Sequence, residues 1–287
     1  MPTIEQNQLS ALLPEIRRIA EGAGEKIMAI YKRGFKTETK SDDSPVTTAD
    51  LAANTFIDKE LKKLAIQFPI LSEESAHLSF AERASWETYW LVDPLDGTKE
   101  FINHRDSFTV NIALIHQHTS VLGIVHAPAL GLSYFAGKGL GSFKVTGTGI
   151  GSTAEPEKIH ARHLPEHTVI FVGSRSHTGE DMTNFLDNYQ ADKGEYDLQS
   201  IGSSLKMCMV AEGKADLYPR LWLTSEWDTA ASHCIVDEAG GKIVKTDMSP
   251  LLYNTKDSLL NPYFFAIGDN SVAWNKYLPK TLSNQAP

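Results

Sequence analysis

Cysteine is almost missing from this chain, with two among 287 residues, Cys208 and Cys234. Their separation has no zinc-ligand spacing, and two thiols do not make a disulfide framework. Both fall inside helix-like patterns, which predicts buried free thiols. Long hydrophobic runs are also lacking; none approaches the ~20 apolar residues of a membrane span. The N-terminus is a charged amphipathic pattern without a continuous apolar stretch, so no secretory signal is expected and the cytoplasm is the expected compartment. Positive charge is short too. Lys and Arg number 27 against 36 Asp and Glu, a net charge of −9, which excludes the basic footprint of a nucleic-acid or anionic-membrane binder. Gly137, Gly139, Gly141, Gly147, Gly149 and Gly151 lie in turns. No strand leads into Gly-x-Gly-x-x-Gly and then a helix, which excludes a dinucleotide fingerprint. Internal repeats and low-complexity segments are absent.

What is there describes a globular chain, 41% hydrophobic and 22% charged, long enough to need a large α/β unit or two fused layers. Leu9, Leu12, Leu13, Ile16, Ile19, Ala20, Ala23, Ile27 and Ile30 recur at helical spacing and predict a helix over 8–32. Gly22 and Gly24 weaken it or admit a close neighbour. Residues 36–46 read as a loop. A second helix begins near Thr47 or Thr48, with Asp50 placed as a capping acid. From Phe108 short β runs separated by turns predict an antiparallel meander. Helices and strands alternate from Thr168 onward, the mark of an α/β layer. The loop-like stretch 152–167 divides an N-terminal α+β half, 1–155, from a C-terminal α/β half, 156–287.

Chemistry concentrates in Tyr89–Phe101. Tyr89, Trp90, Leu91 and Val92 form a strand that should end at Pro94, which has no N–H for a ladder. Asp93 and Asp96 follow three residues apart. Gly97 permits a turn, and Thr98 starts a helix whose first amides favour an anion. Hard carboxylate oxygens suit Mg²⁺, although a polar turn between strand and helix explains the segment equally simply. Glu73 and Glu74 end a short strand and double as solvated loop acids. Asp228 stands where a helix N-cap belongs, with Gly240 as the C′ residue. Ser174-Arg175-Ser176-His177, Ser203, Ser204, Lys206 and Arg220 fall at strand ends or helix starts, where α/β sheets place ligand sites.

Taken together, Leu71-Ser72-Glu73-Glu74, Asp93-Pro94-Leu95-Asp96-Gly97-Thr98 and Trp227-Asp228-Thr229-Ala230-Ala231, with Ser44 to Asp50 as a fourth segment, resemble the inositol monophosphatase-like family of Mg²⁺-dependent, Li⁺-sensitive phosphatases. Lys99-Glu100-Phe101, Ser174 to His177, Gly202 to Lys206 and Tyr218-Pro219-Arg220 are most similar to its bacterial 3′(2′),5′-bisphosphate nucleotidase branch of the CysQ type. Leu221 to Glu226 is the stretch least like that pattern. The resemblance implies the layered αβαβα sandwich of the sugar-phosphatase fold. It implies two or three Mg²⁺ ions on Glu73, Asp93, Asp96, Asp228 and the Leu95 carbonyl. Asp50 and Thr98 would activate water with help from Glu74, and the Gly97 and Thr98 amides would hold phosphate. His177, Ser203, Lys206 and Arg220 would bind a small nucleoside bisphosphate. The implied reaction removes the 3′-phosphate of 3′-phosphoadenosine 5′-phosphate in sulfur assimilation. An inositol or other sugar monophosphatase and a non-catalytic nucleotide-binding protein are the alternatives. No nucleic-acid partner and no transmembrane segment are expected; the resemblance admits a homodimer and peripheral contact with the inner membrane.

Overall fold

The computed structural model describes residues 4–35, 37–39, 45–75, 78–147, 149, 153–164, 168–174, 179–280 and 282. Helix α1 (Gln6–Arg33) buries Leu9, Leu12, Leu13, Ile16, Ile19, Ala20, Ala23 and Ile27, the face its periodicity predicts. Gly24 admits a neighbour, because a Cβ there would lie 2.5 Å from the His126 ring. Strands β1 (Thr37–Thr39) and β2 (Pro45–Thr47) pair antiparallel where a loop was expected; Lys40, Asp42, Asp43 and Ser44 lie outside the described residues. Helix α2 (Thr48–Leu61) follows β2 and packs on α1.

A seven-stranded sheet runs in chain order through β3 (Ile70–Ser72), β4 (Thr88–Asp96), β5 (Thr109–His116), β6 (Thr119–Ala127), β7 (Leu132–Gly137), β8 (Gly141–Thr146) and β9 (Glu157–Ile159). Pairing is antiparallel from β4 to β9, the expected meander, and parallel between β3 and β4. Between those two strands lies α3 (Phe80–Arg83). Its Arg83 is buried and bonds Asn254 and the Asp257 carbonyl. After β4 comes the short α4 (Thr98–Ile102).

Strand alternation decides what each face touches. Trp90, Val92, Ile112, Leu114 and Ile124 pack against α1 and α2. Tyr89, Leu91, Ala113, Ile115 and Val125 pack against α6 (Leu205–Ala211) and α7 (Glu226–Glu238). Gly123 on β6 lets α7 lie directly on the sheet, since a Cβ there would lie 2.1 Å from the Ala231 carbonyl oxygen.

Beyond α6 and α7 stands a five-stranded sheet ordered β11 (Tyr196–Ser200), β10 (Val169–Gly173), β12 (Leu217–Arg220), β14 (Phe264–Ile267), β13 (Lys242–Lys245). It is mixed: β10 runs parallel to β11 and β12, and β14 is antiparallel to both its neighbours. Helix α5 (Glu180–Lys193) covers its outer face through Phe185 and Leu186, joined by Trp274 and Tyr277. The layers are therefore α, β, α, β, α, the sandwich the family resemblance implies. Each Val, Leu, Ile or Phe fully buried between layers contributes about 1.5–3 kcal/mol. Cys208 in α6 and Cys234 in α7 are buried and free, as expected. No helix among the described residues is long and apolar enough to cross a membrane.

Candidate active site

Strand β4 does not end at Pro94, contrary to the sequence reading; it continues to Asp96 through a bulge. Asp93 pairs with Asn111 and Asp96 with Thr109, so Pro94 and Leu95 together oppose Val110. The missing N–H of Pro94 thus costs no ladder bond. The Leu95 N–H turns to Asp93 Oδ1 at 3.1 Å. The bulge also changes where the acids point. In a regular strand, residues three apart face opposite sides; one extra residue returns them to the same side.

Asp228 joins them from α7. That helix starts at Glu226, so Asp228 is its third residue and not the N-cap the sequence suggested. Its Oδ2 accepts the Ser225 N–H at 2.9 Å. The N-terminal turn of α7 is tied down elsewhere by Glu226, whose carboxylate accepts the Asn254 N–H at 2.9 Å. Carboxylate oxygens of Asp93, Asp96 and Asp228 lie within 4.8 Å of one another. Burial, first of all, and then the charges of Glu73, Asp96, Asp228 and Asp50 push the Asp93 carboxyl well above its ordinary value. Burial and the neighbouring Asp96 push Asp228 up to about 8. Crowded acids of this kind favour a bound cation, which removes their repulsion.

Asp96 is held by residues the sequence reading did not assign to it. The Ser204 N–H donates to its Oδ2 at 2.6 Å, and Ser204 Oγ lies 2.8 Å from the same oxygen. That hydroxyl is also 2.7 Å from the Asp228 carbonyl and accepts from Asn111 Nδ2 at 2.9 Å. Ser204 therefore joins α6, β4 and α7 at one point. Asn111 had a legible signal, a polar residue inside the apolar run Val110–Ile112.

Asp50 divides its two oxygens between two jobs. Oδ2 accepts the Thr47 N–H at 2.8 Å and the Thr47 hydroxyl at 2.6 Å, closing the capping box of α2. Oδ1 lies 3.3 Å from Thr98 Oγ1, which is also 3.3 Å from the Leu95 carbonyl oxygen. Burial raises the Asp50 carboxyl, the Thr47 bonds oppose that, and the Glu74 charge adds to it. Glu73 and Glu74 occupy a 3₁₀ turn after β3. Glu73 acts on Asp93 and Asp228 by its charge.

A cleft opens from Asp96 and Asp228 between the two sheets, lined also by Gly97, Ser203, Lys206 and Arg220. Lys206 Nζ donates to the Ser203 carbonyl at 2.6 Å and lies over the Tyr218 ring. Ser203 Oγ and Arg220 Nε are buried and have no hydrogen-bond partner among the described residues. Both residues line the cleft, and with Lys206 the Arg220 guanidinium brings it positive charge, which fits an anionic ligand. His177 lies outside the described residues.

The inositol monophosphatase family is matched over residues 8–277. The chain belongs to this family. The 3′(2′),5′-bisphosphate nucleotidase CysQ of Salmonella typhimurium is 44% identical over 88% of this chain and 98% of its own. The protein of the same name from Aggregatibacter actinomycetemcomitans is 39% identical over 92% and 96%. Among solved structures, CysQ of Bacteroides thetaiotaomicron, described as a bacterial member of the inositol monophosphatase family, superposes with a TM-score of 0.78 at 38% identity. It covers 90% of this chain and 98% of its own. The inositol monophosphatase family fold thus brings together acids drawn from residues 50 to 228 of this sequence.

Proposed function

We propose that this protein is a metal-dependent 3′(2′),5′-bisphosphate nucleotidase that converts 3′-phosphoadenosine 5′-phosphate to AMP and phosphate. The observation that carries this reading is the pairing of three converging carboxylates with a cleft lined also by Ser203, Lys206 and Arg220. A substrate with two phosphates needs both ends. The relatives named CysQ, similar over nearly their whole length, support the same substrate.

The all-oxygen donor set suits Mg²⁺. Asp93, Asp96 and Asp228, with Glu73 and the Leu95 carbonyl, would hold two or three ions. When bound, Mg²⁺ neutralises acid and phosphate charge and makes a nearby water more acidic. Thr98 Oγ1 would orient the attacking water, and Asp50 Oδ1 would accept its proton, with Glu74 keeping that carboxylate basic through its charge. The water oxygen would form the new bond to phosphorus as the bond to the ribose 3′-oxygen breaks, and that oxygen would take a proton from solvent water to become the 3′-hydroxyl of AMP. The Gly97 and Thr98 amides would hold the departing phosphate. Lys206 and Arg220 would hold the 5′-phosphate, and Ser203 and His177 the nucleoside. Most of the barrier reduction would come from positioning and charge. Removal of a sulfur-assimilation by-product is the role this implies, and two free thiols support a reducing cytoplasm.

The deciding assay compares phosphate release from 3′-phosphoadenosine 5′-phosphate and from inositol 1-phosphate at equal concentration with Mg²⁺. The nucleotide is expected to be hydrolysed faster, and Asp93→Asn is expected to abolish turnover. Equal or greater release from the inositol ester would establish a sugar monophosphatase instead. No Mg²⁺-dependent release from any ester would leave only a binding protein.

A further inference from the structure

Beside the acid cleft lies a second, smaller hollow whose wall includes Met182, Leu198 and Trp222. The two spaces share Ser174, Tyr218 and Arg220, so they are neighbours along one wall. Their chemistry differs. The first is edged by acids, a lysine and an arginine, whereas the second adds apolar side chains. Trp222 is 52% exposed, Leu198 42% and the adjoining Leu223 44%. Of the six large hydrophobic side chains exposed to this degree among the described residues, three stand here. An apolar cluster at the rim of a polar cleft marks a binding surface more than a scattered exposed leucine does.

The indole is also presented by a fixed loop. Arg220 Nη2 donates to the Leu223 carbonyl at 3.0 Å, and Leu221 is buried beneath the turn. The guanidinium that borders the acid cleft therefore holds the segment carrying Trp222. This segment, 221–226, is also the part of the sequence least like the family pattern.

We propose that Trp222, with Leu198 and Met182 lining the same hollow, is the wall against which the purine of a nucleoside 3′,5′-bisphosphate stacks. The inference rests on the nucleotidase reading and adds a specificity-determining residue to it. With the scissile ester at the acids and the second phosphate at Lys206 and Arg220, the uncharged base extends over Tyr218 and Arg220, which border both hollows. An indole face takes the π-face of a base and covers its apolar area. A polyol ring has no such face and gains little there. The wall thus sorts nucleotides from sugar phosphates.

The test is steady-state kinetics on 3′-phosphoadenosine 5′-phosphate and on base-free ribose 3,5-bisphosphate, with the wild-type protein, Trp222→Ala and Trp222→Phe. Base stacking contributes about a 5- to 100-fold factor. Trp222→Ala is expected to raise KM for the nucleotide by about that factor, with a smaller change in kcat, and to shrink the KM gap between the two substrates. Trp222→Phe should restore most of the gap. An equal KM change on both substrates, or none on either, overturns the stacking wall while leaving the nucleotidase reading intact. A fall in molecular mass by light scattering in Trp222→Ala, with KM unchanged, assigns the patch to contact between copies and overturns the inference. Wild-type protein that hydrolyses neither substrate overturns the nucleotidase reading and this inference with it.

Discussion

Asp50 shows how much one side chain carries at this site. Its Oδ2 closes the cap of α2 and its Oδ1 meets Thr98. Asparagine keeps an oxygen and the side-chain shape but accepts no proton. Asp50→Asn is therefore expected to cost about 1 kcal/mol of stability or less and to lower kcat by about 10²- to 10⁴-fold. Thermal melts and single-substrate kinetics on one preparation separate the two effects; a stability loss large enough to explain the rate would count against the proton-acceptor role. Asp93 and Asp228 carry a pH dependence. Their carboxyls are raised in the folded protein, Asp228 to about 8 against an ordinary 3.8. A raised acid stabilises the fold while protonated. That contribution is present below the ordinary value and is lost as pH climbs toward about 8. Metal-free protein should therefore lose melting temperature as pH rises, and Mg²⁺, which binds the ionised form, should restore more at about pH 8 than at about pH 6. Melts with chelator and with Mg²⁺ check this; an equal Mg²⁺ shift at both pH values would refute it.

At the scale of elements, the site depends on how α7 lies on the seven-stranded sheet. Gly123 of β6 faces the backbone of Ala231, one turn along from Asp228. A methyl group there meets a carbonyl that belongs to a helix and does not swing aside. Gly123→Ala should destabilise the protein by about 1–3 kcal/mol through overpacking and lower activity further by displacing Asp228. Chemical denaturation together with Mg²⁺ titration reads both; normal Mg²⁺ affinity in a folded variant would show that the helix does not transmit the shift. The bulge in β4 works at the same scale. It aligns Asp93 with Asp96 and removes the need for a ladder N–H at Pro94.

Across the whole molecule, α6 and α7 serve both sheets. Their buried residues share one core with Tyr89 and Leu91 from the first sheet and Tyr218 and Phe264 from the second. The first sheet ends at Ile159 and the second begins at Val169. We propose that the halves expected from sequence, 1–155 and 156–287, form one cooperative unit. A fragment of residues 1–160 should lack a sharp thermal transition, because the face bearing Leu91 and Ala113 loses its cover; a cooperative melt of that fragment would disprove it. The αβαβα class was implied by the family resemblance. The sequence alone determined the helical face of α1, the meander, the α/β layer after it, the buried thiols and the candidate acids. Those features follow from local periodicity, turn chemistry and composition, which neighbouring residues specify. Tertiary structure alone decided that β4 passes Pro94 through a bulge, that Ser204 and Asn111 hold Asp96, and that Trp222 stands beside Arg220. Each of these depends on which distant segment arrives opposite, and hydrogen-bond partners supplied from some 90 to 110 positions away along the chain leave no local pattern to read.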